Sequence, residues 1–137
     1  MERSATCHCG QLHLITTGQP ERVYACHCTA CQRRTGTAFH LGSVWRLEQV
    51  KTEGDYKVYE RGTAAGTMIR FRFCAVCGSN VFWDTDRRPG TYGIAVCNFC
   101  DPDFPPPTAA VWEDEKLSWG ELPTATEHFP HGRTAGG

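Results

Sequence analysis

The 137-residue sequence contains no apolar run approaching the roughly 18 residues of a membrane span, and its N-terminus lacks the basic-then-apolar stretch of a secretory signal. Both absences set the expectation of a cytoplasmic protein with no membrane partner. There is no excess of positive charge: 14 Lys and Arg face 15 Asp and Glu, for a formal net charge of −1. Generic nucleic-acid binding rests on a basic face or stripe, so no nucleic-acid partner is expected. No internal repeat is present. With 40% of its residues hydrophobic and 21% charged, the chain suits one compact domain with its own core and is short for two. The expectation is a single domain over residues 1–130 and a disordered tail at 131–137. Nothing in the sequence indicates an oligomeric state.

Cysteine, by contrast, is abundant. Nine are present, and most lie one or two residues apart: Cys7 and Cys9; Cys26, Cys28 and Cys31; Cys74 and Cys77; Cys97 and Cys100. Neighbours this close bridge each other only with strain, yet they place two thiolates well for one tetrahedral ion. The odd total also argues against a secreted disulfide framework. If seven thiolates hold two Zn²⁺ ions, the net charge falls to about −4, because coordinating thiols are deprotonated.

Between the cysteines the chain reads as short strands punctuated by breakers. Residues 10–17 and 22–25 are expected to pair as a hairpin around Gly18-Gln19-Pro20. Thr29 to Thr35 has good helix formers behind a capping-type Thr29, so a short helix ending at Gly36 is expected. Further strands are expected at 39–47, 56–61, 67–73, 80–83, 92–96 and 109–112, where β-rich or alternating composition is bounded by glycine or proline. The result is a mainly β, mostly antiparallel domain pinned by metal.

The order C-x-C, C-x-C-x-x-C, C-x-x-C is far more specific than any single pair. Its seven thiolates divide as four and three. A structural zinc takes four protein ligands, whereas a zinc that does chemistry takes three and keeps one position for water or substrate. Pairing Cys7 and Cys9 with Cys74 and Cys77 gives a closed site that clamps the N-terminal hairpin to the later sheet. Cys26, Cys28 and Cys31 then form a local, open site.

The segments Cys7-His8-Cys9-Gly10-x-Leu12, Cys26-His27-Cys28-x-x-Cys31-Gln32-Arg33-x-Thr35-Gly36 and Phe73-Cys74-x-x-Cys77-Gly78-Ser79 resemble the glutathione-dependent formaldehyde-activating enzyme family, which also includes centromere-protein-V-like proteins. The likeness runs from Thr6 to about Trp83 and continues more weakly to Asp101-Pro102 and the later Trp segment. It implies a β-tent (Mss4-like) fold with two Zn²⁺ ions, Cys7, Cys9, Cys74 and Cys77 at the structural one and Cys26, Cys28 and Cys31 at the catalytic one. It also implies glutathione as co-substrate and a carbon–sulfur lyase reaction that forms or cleaves S-hydroxymethylglutathione. The partner would then be a small-molecule thiol and aldehyde. The competing reading is a non-catalytic, zinc-stabilised binding module of the same fold, and solvent access at the second zinc discriminates the two.

Glutathione carries two carboxylates, and Arg33, Arg34, Arg70 and Arg72 are the arginines nearest the metal motifs in sequence; a guanidinium can hold a carboxylate through two parallel hydrogen bonds. His8 and His27 sit between ligand cysteines whose sulfurs converge on the metal, so their side chains are expected to point away. Tyr24, Phe39, Trp45, Phe73, Phe82 and Trp83 read as core, with Phe39 a candidate wall of the open site. Cys97 and Cys100 depart from the family pattern. They are open to three readings: buried inert thiols, one of them a fourth ligand closing the second zinc, or a redox or additional metal pair.

Overall fold

The computed structural model describes residues 1–133. Strands β1 (Glu2–Thr6), β2 (His13–Thr17) and β5 (Val50–Glu53) form a three-stranded antiparallel sheet in the order β1-β2-β5. The second sheet holds eight strands in the order β11-β10-β3-β4-β9-β8-β7-β6. These are β3 (Arg22–Cys26), β4 (His40–Arg46), β6 (Tyr56–Gly62), β7 (Met68–Cys74), β8 (Asn80–Thr85), β9 (Thr91–Ala95), β10 (Ala109–Val111) and β11 (Glu127–His128). All pairings are antiparallel except β3 with β10 and β10 with β11. The single α-helix among the described residues is α1 (Thr29–Thr35). This is the mainly β, β-tent-like architecture expected from the sequence.

The expected hairpin between residues 10–17 and 22–25 does not form. Both edges of β2 are occupied, by β1 and by β5, and β3 pairs with β4 and β10 instead. Pro20 has no N–H to give to a ladder, and Gly18, at φ 82°, turns the chain out of the small sheet. Gln49 ties the crossover down by donating from Nε2 to the carbonyls of Thr17 and Gln19, each at 3.0 Å. Strands β1, β5 and β11 are polar and carry little intrinsic strand signal; their partners create them.

Leu12, Leu14, Trp45, Val81, Phe82 and Ile94 fill the main core. Burying a side chain of this size is worth about 1.5–3 kcal/mol. Two polar side chains in that core satisfy each other: Trp45 Nε1 donates to Ser43 Oγ at 2.8 Å, and Ser43 Oγ donates to the Ile94 carbonyl at 2.8 Å. Of the tail expected from residue 131, residues 134–137 lie outside the described part. His131 lends its carbonyl to the Trp112 N–H at 2.9 Å.

Candidate metal centres and the adjoining pocket

Two turns from different sheets make the first centre. The loop after β1 carries Cys7 and Cys9, and the turn between β7 and β8 carries Cys74 and Cys77; the four sulfurs lie within 4.8 Å of one another. Sγ of Cys9 is 3.6 Å from that of Cys7 and 3.7 Å from that of Cys74. A zinc with four bonds of about 2.3 Å defines a tetrahedron with edges of roughly 3.8 Å, so the donor set fits that ion. Donors surround the sulfurs as metal thiolates require. Leu12 N–H reaches Cys7 at 3.3 Å, while Val76 N–H at 3.3 Å, Cys77 N–H at 3.4 Å and Gln11 Nε2 at 3.0 Å reach Cys74. The hydroxyl and N–H of Ser79 hold the Cys77 thiol down to about 5. Gly54 packs its backbone directly against the Gln11 carbonyl at φ 105°, leaving no room for a Cβ.

The second centre is local. The end of β3 and the start of α1 bring the Cys26, Cys28 and Cys31 sulfurs within 4.8 Å of one another. The helix has the expected bounds and ends at Gly36, in the left-handed region at φ 67°. Its cap is Cys28 rather than Thr29: the Cys28 sulfur accepts from the Cys31 N–H at 3.2 Å, so helix initiation and thiolate stabilisation are one interaction. The three thiols compete for their protons. Hydrogen bonds from Cys26 and Cys31 hold the Cys28 thiol down to about 2, with the Cys31 N–H and the Arg61 charge adding to the effect. Hydrogen bonds with Cys28 and Cys31, together with burial, push Cys26 up. Three sulfurs on one ion leave a tetrahedral position unfilled by this group.

A cavity of about 500 Å³ opens onto this second centre, with Cys26, Cys28 and Cys31 in its wall. Arg22, Arg34, Arg61, Arg87, Arg88 and Arg133 line it, against the single carboxylate of Glu115. The Arg34 guanidinium lies 4.1 Å from the Phe71 ring centroid, and its Nε and Nη2 are buried with no hydrogen-bond partner among the described residues. Arg61 covers the same ring at 5.5 Å. Arg88 lies 5.6 Å from the Tyr24 ring. Burial lowers the Arg22 pKa, and the nearby charges of Arg88 and Arg133 lower it further. Glu115 Oε1 accepts from the Thr29 N–H at 2.6 Å, which fixes that carboxylate at the start of α1.

Of the four arginines singled out from sequence, only Arg34 lines this cavity. Arg33 is exposed on α1 and outside it. Arg70 and Arg72 bond Asp84 on the other face of the sheet, and Arg70 also reaches Asp86 at 2.6 Å. Phe39 is not a wall of the site; its ring sits 5.3 Å from that of His27. Trp83 and Tyr24 do line the cavity, and so does His40, whose ring meets Trp83 edge-on at 4.6 Å and which burial holds neutral, its pKa lowered to about 3. His8 is exposed and His27 is buried. Cys97 and Cys100 are neither buried nor part of the three-thiol group: both are exposed on the turn Val96–Phe99 and its cap.

The model of one family, described as glutathione-dependent formaldehyde-activating enzyme, matches residues 2–115. The chain belongs to this family. The matched region holds all seven clustered cysteines, Glu115 and five of the cavity arginines, while Arg133 lies beyond it. Among solved structures, a Rhodobacter sphaeroides protein determined as a structural-genomics target is similar to this family member with a TM-score of 0.56 and 21% identity, over 92% of this chain and 98% of that one. A likeness at that identity concerns the fold. No curated protein matches the chain. No helix among the described residues is long and apolar enough to cross a membrane.

Proposed function

We propose that the protein is a zinc-dependent enzyme of the carbon–sulfur lyase type, which binds glutathione or a similar thiol and forms or cleaves its formaldehyde adduct, S-hydroxymethylglutathione. The observation that carries this reading is a three-sulfur group in the wall of a cavity lined by six arginines, while the four-sulfur group stands apart from that cavity. In this reading Cys7, Cys9, Cys74 and Cys77 hold a structural zinc, and Cys26, Cys28 and Cys31 hold the catalytic one. A zinc bound there would lower the pKa of a thiol beside it and so supply a thiolate at neutral pH.

The chain's own residues supply binding and orientation. Arg22, Arg88 and Arg133 are grouped where they would hold a carboxylate of the tripeptide through paired hydrogen bonds. Glu115, the one carboxylate of the wall, suits the ammonium group. The Cys31 N–H donates to the Cys28 sulfur at 3.2 Å and fixes its direction. In the forward direction the thiol sulfur bonds the carbonyl carbon, and the carbonyl oxygen ends with the proton that the thiol gives up; cleavage reverses both changes. The same reading takes residues 1–130 as one domain and places it in the cytoplasm, where a reducing environment keeps cysteines free.

The test is the rate of exchange between formaldehyde, glutathione and S-hydroxymethylglutathione, followed by NMR with the zinc-loaded protein. The reading expects an acceleration that Cys28→Ser removes. A rate equal to that without protein, in a sample that still binds glutathione, leaves a non-catalytic binding module instead.

A further inference from the structure

The cavity arginines are not spread evenly with respect to the thiols. Arg88 and Arg133 both lie near Arg22, and Arg88 sits over the Tyr24 ring. Arg34 and Arg61 share the Phe71 ring in the same cavity wall as the three sulfurs. Neither makes an ion pair among the described residues, and the Arg34 Nε and Nη2 are buried without a partner. A buried, unpartnered guanidinium N–H costs free energy until an acceptor meets it. The paired Arg70 and Arg72 on the opposite face show that this sheet neutralises its arginines where no ligand is expected.

Resting on the reading of this cavity as a glutathione site, the geometry raises a question of placement. Both carboxylates of glutathione lie several bonds from its sulfur, at the two ends of the molecule. With the sulfur at Cys26, Cys28 and Cys31, the space beside Arg34 and Arg61 falls to whatever the sulfur is bonded to. Formaldehyde is small and uncharged and gives two guanidinium groups nothing to hold.

We propose that the carbonyl partner carries an acid group of its own, a 2-oxo acid or related acidic aldehyde of which glyoxylate is the smallest, with Arg34 and Arg61 gripping that carboxylate beside the three thiols. The chemistry balances without an oxidant or reductant. The thiol sulfur adds to the aldehyde carbon, the S–C bond forms and the carbonyl π bond breaks. Its electron pair goes to oxygen, which takes the proton lost by the thiol, and the carboxylate is unchanged.

Calorimetric titration of the zinc-loaded protein with glutathione, S-(carboxymethyl)glutathione and S-(carbamoylmethyl)glutathione tests this. The last two are nearly identical in shape and differ by one negative charge at the sulfur substituent. The carboxymethyl compound is expected to bind at least about tenfold more tightly than the amide, the size of one charge-assisted hydrogen bond. Arg61→Gln should bring that ratio close to one, while Arg70→Gln, outside the cavity, should preserve it. Equal affinities for the two analogues with glutathione still bound, or a preference unchanged in Arg61→Gln, would overturn this inference alone. Failure of all three compounds to bind would overturn the glutathione reading and this inference with it.

Discussion

Cys7, Cys9, Cys74 and Cys77 come from turns of two different sheets, whereas Cys26, Cys28 and Cys31 come from a single strand-to-helix junction. An ion in the first set ties the β1-β2-β5 sheet to the turn between β7 and β8, so its binding free energy belongs to the tertiary structure. An ion in the second set closes only a short loop that the helix cap already organises, and it faces a cavity. On the proposed reading the same residue type would serve two purposes according to the sequence separation of the ligands and what the fourth position meets. Ligands drawn from far apart in the chain make a clamp; ligands from one junction leave the ion free for a substrate.

The largest expected effect separates the two centres by stability. Structural zinc contributes apparent binding free energies of about 10–16 kcal/mol, against net stabilities of about 5–15 kcal/mol for a typical domain. Cys74→Ser should therefore abolish the cooperative unfolding transition followed by circular dichroism. Cys28→Ser should keep that transition and lose one metal per chain. Equal unfolding in both variants would break the division of labour.

Backbone packing sharpens the same contrast. A Cβ at Gly54 would collide with the Gln11 carbonyl beside the four-sulfur centre, whereas one at Gly36, the cap of α1, meets nothing within 4 Å. Gly54→Ala should cost about 3 kcal/mol or more. Gly36→Ala should cost only the left-handed strain of about 1 kcal/mol. Urea midpoints decide, and similar shifts would mean that the first loop is no more tightly held than the second.

A third pair of variants asks which arginines belong to the open centre. Arg22→Ala should weaken glutathione binding by about tenfold, and Arg70→Ala by less than about twofold, since Arg70 is occupied by Asp84 and Asp86. The smallest effect is expected at the exposed pair outside both centres. Replacing Cys97 and Cys100 together by serine should leave metal content unchanged, and a lost metal in elemental analysis would return one of them to a ligand role.

Much of the fold and both cysteine groups were legible because cysteine order and glycine or proline punctuation are local signals. The helix from Thr29 to Gly36 and the grouping of seven sulfurs into four and three follow from spacing. The hairpin was misread because nothing within residues 10–25 reveals that polar strands β1 and β5 occupy both edges of β2. Proximity along the chain singles out Arg33, Arg34, Arg70 and Arg72, of which only Arg34 lines the cavity, because strand alternation decides which residues face it. Ile69 and Phe71 of β7 face the cavity, so Arg70 and Arg72 face away. The β6–β7 register places Arg61 opposite Ile69 and thus on the cavity face. Period-two alternation alone, applied to Met68–Cys74, separates Phe71 from its arginine neighbours; finding Arg61 and Arg22 requires the strand pairing, which residue identity does not disclose.

The central claim, one closed and one open zinc, is tested most directly by metal content per chain combined with glutathione titration of a cobalt-substituted sample, whose visible spectrum reports ligand changes. The account predicts two metals per chain and a saturable spectral change that is absent from a Cys28→Ser sample still carrying the other metal. Two metals with a spectrum indifferent to glutathione would contradict it.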